Sequence, residues 1–204
     1  MPPRRFRTSS LRLAASAVLL ACLLGGPVEA QTLEKGSRSV GGFGLAGQGF
    51  HLEGQGFSEF GTVGITAARG LSRHLEAVLE YQPVIVLRQP TRIGGRERQT
   101  VEAMAFDIGI RWFPGPPEWR WRPYIELLDG PFGATHKVPP TGTSFNFLTQ
   151  AGAGVAMPFG ERWHPYAFYR WYHISNAGFG RHNPDWDHWA IGIGVRMNLA
   201  PAGR

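Results

Sequence analysis

Residues 189–199 have the sequence WAIGIGVRMNL, in which bulky apolar residues alternate with small or polar ones. Strict alternation with a period of two is typical of a β-strand that has one apolar face. A soluble sandwich would carry bulky charged residues on its outer face. Here the face opposite the apolar one is mostly glycine and alanine, which suits the narrow lumen of a small barrel. Residues 103–112 repeat the same pattern.

The alternation recurs along the chain, and no helical periodicity follows residue 30. We predict strands over residues 39–51, 57–69, 73–88, 99–113, 119–132, 143–158, 162–175 and 187–199. Each is longer than the roughly 5–6 residues of a soluble strand, and an outer-membrane strand needs about 9–11 residues to cross. An even number of strands closes a sheet without a free edge. The sequence therefore predicts an all-β fold, an eight-stranded antiparallel transmembrane β-barrel.

Residues 1–30 have the features of a cleaved signal peptide: a basic start, an apolar run over Leu13–Leu24 and a small-x-small site at Val28–Ala30. The run is shorter than the roughly 20 apolar residues of a membrane-spanning helix. A lipoprotein-like sequence ends at Cys22, so lipidation there is the alternative. We assign 1–30 to the signal peptide and 31–204 to one barrel domain in the bacterial outer membrane.

The composition of residues 31–204 gives little reason to expect a nucleic-acid partner. This part of the chain has 17 lysines and arginines against 14 acidic residues, and it has no cysteine. The high pI of the full sequence therefore comes partly from the signal segment. Residues 42–47 fit the G-x-G-x-x-G dinucleotide pattern, but they follow no strand and open no βαβ unit. They are better interpreted as part of a glycine-rich first strand.

The seventh predicted strand carries the residues that point to chemistry. Arg170 is too costly to face lipid when a polar lumen is available, so the odd-numbered residues of this strand should face outward. His173 and Ser175 then lie together on the lipid-facing side, where the strand leaves the membrane. Asp187, on the next strand, shares its parity with Trp189 and should also face lipid. The sequence thus predicts a serine, a histidine and an acid on one outer surface.

These residue types are those of a serine esterase. Histidine has the pKa range needed to take the proton of a serine hydroxyl, and a carboxylate on its other nitrogen orients the ring. An oxyanion needs hydrogen-bond donors. The candidates are Asn183, Asn176 and the backbone near Ala177 and Gly178.

The segment from His173 to Asp187 resembles the lipid A 3-O-deacylases of the PagL type. The matching pattern is H-x-S-N-A-G at residues 173–178, then Asn183, then an acid twelve positions after the serine. The resemblance implies an eight-stranded outer-membrane barrel that removes the 3-position acyl chain of lipid A. It also implies Ser175 as nucleophile, His173 as base, Asp187 as the orienting acid and Asn183 as oxyanion support. The best-known members of this family have Glu at the position of the acid, so the side chain of Asp187 is one methylene shorter.

Two other functions remain open at this stage. An outer-membrane phospholipase also carries H-x-S-N-G, but it has a larger barrel, depends on calcium and uses Asn in place of the acid. A non-enzymatic barrel for adhesion or envelope stability would not need the outward serine, histidine and acid. The small size of the predicted barrel, residues 31–204, and the presence of an acid at Asp187 both favour the deacylase.

Lipid A, in the form of lipopolysaccharide, is accordingly the expected membrane partner, and a second copy of the chain is a candidate partner. The phosphates of lipid A could be bound by arginines near the outer loops. These are Arg88, Arg92, Arg96, Arg98 and Arg181. We expect no cofactor and no metal, since the spacing of His182, Asp185 and His188 matches no ligand pattern.

Overall fold

The computed structural model describes residues 33–50, 58–92, 94–157, 159 and 162–199. Its strands form one closed antiparallel barrel in sequence order. They are β1 Arg38–Phe50, β2 Ser58–Gly70, β3 Leu75–Pro90, β4 Arg98–Trp112, β5 Arg122–Val138, β6 Thr143–Ala156, β7 Trp163–Ser175 and β8 Trp186–Leu199. The predicted eight-stranded barrel is confirmed. The proposed signal peptide, including Cys22, lies outside the described residues.

The alternation read from the sequence is present in the folded barrel. In β7 the even-numbered side chains are buried and the odd-numbered ones face outward, so Arg170 is 0% exposed while Tyr169 is 52% exposed. In β8, Ile191 is 68% exposed and its neighbour Ala190 is buried. Exposed apolar side chains of this kind surround the barrel, as an outer-membrane barrel requires. None of the described residues forms a helix long and apolar enough to cross a membrane.

The lumen is filled more heavily than the glycines of β8 suggested. Large aromatic side chains from neighbouring strands enter the space that these glycines leave. A Cβ atom at Gly192 would collide with the ring of Phe168, and one at Gly194 would collide with the ring of Tyr166. The small residues of β8 therefore make room for aromatic rings of the neighbouring strand β7, which fill the narrow lumen there.

Buried ion pairs cross the middle of the lumen. Arg170 donates from Nε to Glu126 at 2.7 Å and from Nη1 to Glu80 at 2.8 Å. Arg111 donates from Nη2 to the other oxygen of Glu126 at 2.9 Å. Arg196 donates to Glu76 at 2.8 Å. The pairs of Arg170 and Arg196 join strands that are not neighbours, whereas Arg111 and Glu126 lie directly opposite each other on β4 and β5. The bonds of Arg170 and Arg196 therefore connect the barrel wall across its lumen.

The two ends of the barrel differ. The end that holds the β1–β2, β3–β4, β5–β6 and β7–β8 connections is called the loop end, and the other is the termini end. At the loop end, β5 continues to Val138, so the predicted loop 133–142 shortens to residues 139–142. At the termini end, β5 begins only at Arg122, and the connection between the predicted strands, residues 114–118, lengthens to 113–121. The predicted 52–56 loop lies outside the described residues.

The strands are inclined to the barrel axis, which places residues of one row at different depths. Directly opposite residues can be followed from strand to strand around the barrel: Asp187, His173, Thr149, Asp129, Ile108, Leu79, Ala67, Val40 and Met197. The row starts and ends on β8, and its end lies ten residues nearer the termini end than its start. Such a stagger is the shear of a closed barrel.

Candidate active site

The last residues of β7 and the first of β8 bring the predicted histidine and acid into contact. His173 and Asp187 are directly opposite each other in the ladder between these strands. The Nδ1 atom of His173 lies 2.9 Å from Oδ1 of Asp187. Their side chains are 26% and 33% exposed, both on the lipid-facing side. Since a carboxylate can only accept, Nδ1–H donates this bond.

Ser175 lies on the same face of β7, two residues beyond His173 at the loop end. Alternate residues of a strand are about 6.6 Å apart, so the hydroxyl and the ring are neighbours along the strand. No hydrogen bond between them is present within the described part of the chain. The bond to Asp187 fixes Nδ1, which leaves Nε2 as the nitrogen that can act as base. The ring also packs against Trp171, with centroids 5.3 Å apart.

The loop after Ser175 is braced by Asn176. This side chain is 1% exposed; its Nδ2 donates to the carbonyl of His182 at 2.7 Å, and its Oδ1 accepts from the N–H of Gly178 at 3.0 Å. Its own backbone N–H donates to Oδ1 of Asn183 at 3.0 Å. Asn176 therefore holds the loop together from inside.

The donors available for an oxyanion follow from this bracing. The candidate donors of Asn176 and Gly178 are already used within the loop. Within the described residues, the N–H of Ala177 and the side-chain NH2 of Asn183 donate to no other group. Ala177 has a φ of 51° and Gly178 a φ of 81°. A non-glycine residue in this left-handed region is uncommon and is found more often at functional sites.

The predicted arginines are not brought together. The β3–β4 loop, with Arg92 and Arg96, lies on the opposite side of the barrel from the β7–β8 loop, and Arg98 at the start of β4 is three strands from β7 and four from β8. Arg88, at the end of β3, faces Glu59 with 3.9 Å between Nη1 and Oε2. Only Arg181 belongs to the β7–β8 loop.

The residues considered for a metal site do not lie together in the structure. His188 points into the lumen, where its Nε2 lies 2.8 Å from Oγ of the buried Ser58. Asp185 instead approaches the site, and ligand-type atoms of His173, Asp185 and Asp187 lie within 4.8 Å of one another. Two of these three residues already form the histidine–aspartate hydrogen bond. Asp185 is thus a second carboxylate close to the base.

An aromatic surface beside Ser175 was not foreseen. Phe147 is directly opposite Ser175 on β6; its ring centroid lies 5.6 Å from that of Phe145 and 6.0 Å from that of Phe179. Phe179 is 82% exposed. The outward parity of Phe145 and Phe147 was visible in the sequence, whereas the position of Phe179 depends on the path of the loop. These rings give the site an apolar wall suited to hydrocarbon.

With this geometry in place, the comparison with known families decides the assignment. The model of the lipid A 3-O-deacylase (PagL) family matches residues 88–196, more than half of the chain. The chain belongs to the lipid A 3-O-deacylase family. The match includes His173, Ser175 and Asp187, and family membership supports ester hydrolysis on lipid A.

Solved structures agree on the fold of this family member. Neisserial surface protein A is similar with a TM-score of 0.58 and 14% identity, over 79% of this chain and 97% of that one. The outer-membrane protein OprG from Pseudomonas aeruginosa is similar with a TM-score of 0.55 and 12% identity, over 85% and 100%. No curated protein sequence matches the chain. This member of the lipid A 3-O-deacylase family is an integral protein of the bacterial outer membrane.

Proposed function

We propose that this protein hydrolyses the ester-linked acyl chain at the 3-position of lipid A, with Ser175 as nucleophile, His173 as general base and Asp187 as the orienting acid. The observation that carries the proposal is the hydrogen bond of 2.9 Å between His173 and Asp187 on the lipid-facing wall, next to Ser175. Polar groups are disfavoured on that wall, and the acyl chains of the substrate lie against it. The 3-position rests on family membership.

The reaction begins when Ser175 Oγ attacks the ester carbonyl carbon and Nε2 of His173 takes the hydroxyl proton. Asp187 stabilises the imidazolium that forms. When the tetrahedral intermediate collapses, the imidazolium gives its proton to the sugar oxygen, which leaves as a hydroxyl. A water molecule then attacks the acyl-enzyme with His173 again as base, and the fatty acid is released.

The negative charge on the carbonyl oxygen needs donors that are already in position. The N–H of Ala177 and the side-chain NH2 of Asn183 are the two available groups in the loop. Asn183 is held by the bond that its Oδ1 accepts from the backbone N–H of Asn176. The role of Asn176 is to position this loop. Arg181, in the same loop, is the arginine we assign to a substrate phosphate.

The N-terminal segment completes the proposal. Export across the inner membrane requires a signal, and we propose that residues 1–30 supply it and that 31–204 remain as the mature barrel. N-terminal sequencing of protein from outer membranes should begin at Gln31. A lipidated Cys22 at the mature N-terminus would contradict this.

The test is mass spectrometry of purified lipid A incubated with the protein in detergent. The wild type should remove one ester-linked chain, and fragmentation should place the loss at the 3-position. Ser175→Ala and His173→Ala should each lower turnover by about a thousandfold or more. Ser58→Ala is the matched control, because it removes the serine of the buried pair with His188 and should leave turnover unchanged.

Three outcomes would contradict parts of the proposal. Loss of a chain from another ester would overturn the 3-position alone. Release from phospholipid at a comparable rate, dependent on calcium, would move the assignment to a phospholipase. No release from lipid A by a folded wild-type barrel would overturn the function.

A further inference from the structure

Two arginines lie side by side on the outer wall at the termini end. Arg38, the first residue of β1, is directly opposite Arg69, near the end of β2. Both are exposed, and they share the outward parity of Val40 and Ala67 on their own strands. Opposite Cβ atoms in an antiparallel ladder are about 4.5–5.5 Å apart. The two guanidinium groups are therefore close enough to bind one anion together.

No acid balances this pair of charges. Within the described residues, neither Arg38 nor Arg69 forms a salt bridge. Glu34, shortly before β1, is exposed and pairs with neither of them, and Glu76 is buried in the lumen with Arg196. Like charges directly opposite each other destabilise a sheet. Stability of the barrel therefore does not account for the two arginines, whereas an anion bound from outside would offset their repulsion.

An apolar groove of about 640 Å³ begins on the outer wall next to the arginine pair. Its lining includes outward residues of the two rows that follow the arginines toward the loop end: Val40, Ala67 and Leu79, then Gly42, Ile65 and Tyr81. Because Gly42 and Ala67 have little or no side chain, the wall is recessed between their larger neighbours. The groove therefore suits a hydrocarbon chain that runs from the arginine pair into the apolar band of the barrel.

The arginine pair lies at the level of lipid headgroups. β1 begins at Arg38 and β2 ends at Gly70, one residue beyond Arg69. Trp163, the first residue of β7, lines the same groove, and tryptophan is enriched at the membrane–water interface. The loop end carries the candidate site for lipid A, so the termini end lies in the opposite leaflet, which consists of phospholipids. This orientation, which rests on the proposed function, makes a phospholipid the occupant of the groove.

We propose that Arg38, Arg69 and the groove beside them bind one anionic phospholipid. Its phosphate accepts hydrogen bonds from both guanidinium groups, whose planar shape matches phosphate oxygens, and one of its acyl chains lies over Gly42 and Ala67. A headgroup with an ammonium would bring a further positive charge to the pair, so the site prefers phosphatidylglycerol to phosphatidylethanolamine. An arginine near a membrane surface contributes about fivefold to the binding of anionic lipid, so two contribute about 30-fold.

The headgroup test is native mass spectrometry of the barrel in detergent, titrated with phosphatidylglycerol or with phosphatidylethanolamine that has the same acyl chains. The wild type should bind the first phosphatidylglycerol about 30-fold more tightly. The Arg38→Gln, Arg69→Gln double variant should lose this preference, and each single substitution should lower it about fivefold. The Arg73→Gln, Arg120→Gln double variant is the matched control. It removes two exposed arginines from turns at the same end of the barrel, and it should keep the preference.

The groove is tested with the arginines left intact. Ala67→Phe fills the recess, and it should weaken the binding of phosphatidylglycerol about tenfold, which corresponds to about two methylenes displaced from the groove. Ala167→Phe is the matched control, because it makes the same change at an outward alanine of β7 that does not line the groove. It should bind phosphatidylglycerol as the wild type does. The same spectra report the oligomeric state, so they would also detect a second copy of the chain seated on the groove.

Three results would overturn the lipid site. The first is equal binding of the two lipids by the wild type. The second is an equal loss in the Arg38→Gln, Arg69→Gln variant and its control, which would indicate a general effect of charge. The third is a dimer that Ala67→Phe converts to a monomer without a change in lipid binding, which would assign the groove to a second copy. If the double variant does not fold, the two single substitutions decide. No reading depends on acyl release, so failure of the proposed function and failure of the lipid site are distinguishable.

Discussion

Replacement of the buried Glu126 by glutamine should lower the free energy of unfolding far more than replacement of an exposed glutamate by glutamine. Glu126 is buried and accepts from both Arg111 and Arg170, at 2.9 and 2.7 Å. Removing one partner of a buried ion pair typically costs about 3–5 kcal/mol, because the other charge is left uncompensated. Arg170 keeps Glu80 at 2.8 Å. Within the described residues, Arg111 keeps only Glu76 as an acidic partner, at 3.6 Å. We therefore expect a loss near 3–5 kcal/mol rather than twice that value.

Glu59→Gln is the matched control. Glu59 faces Arg88 at 3.9 Å, with side chains 64% and 62% exposed, and exposed pairs contribute about 0–1 kcal/mol. The measurement is equilibrium unfolding in urea, followed by tryptophan fluorescence in one detergent or lipid, with the free energy from linear extrapolation. Losses of 1 kcal/mol or less for both variants would refute the reasoning, since they would mean that water screens the lumen charges.

Further predictions concern the site. Asp187→Asn should lower turnover on lipid A by about 100-fold or more, because His173 loses its orienting acceptor. Asp185→Asn is the control: it removes a nearby carboxylate that makes no such bond, and it should retain most of the wild-type turnover. Asp187→Glu should stay active, because it supplies the acid familiar in the family. EDTA should leave the rate unchanged, since each proposed step uses protein groups. Arg181→Gln should raise KM for lipid A more than Arg96→Gln, which is far from the site. Assays of acyl release with each variant check all four, and a calcium requirement or equal effects of the two arginines would contradict them.

The fold could be predicted because each strand of a membrane barrel shows the alternation of outward apolar and inward small or polar residues within its own sequence. In the 189–199 stretch each outward residue is apolar and each inward one is small or polar, and the observed β8 covers that stretch. One costly residue, Arg170, was enough to orient β7 and hence the predicted site. Such evidence depends only on parity within a strand.

Contacts between strands distant in sequence could not be predicted in the same way. The pairing of Arg170 with Glu80 joins β7 to β3 across the lumen and depends on the stagger of the closed sheet, which no single strand reveals. Likewise Asn176 was a candidate oxyanion donor, but the folded loop turns its side chain inward to the carbonyl of His182.

The buried network and the external site depend on each other through β7. Along this strand the residues that fill the lumen alternate with those that face lipid, so Arg170 and Tyr172 are buried while Trp171 and His173 face outward. A slip of one residue would exchange the two faces and would place Arg170 in the membrane. The pairs that Arg170 makes with Glu80 and Glu126 oppose such a slip. The same bonds that close the lumen therefore fix the register that presents His173 to Asp187 on the outer wall.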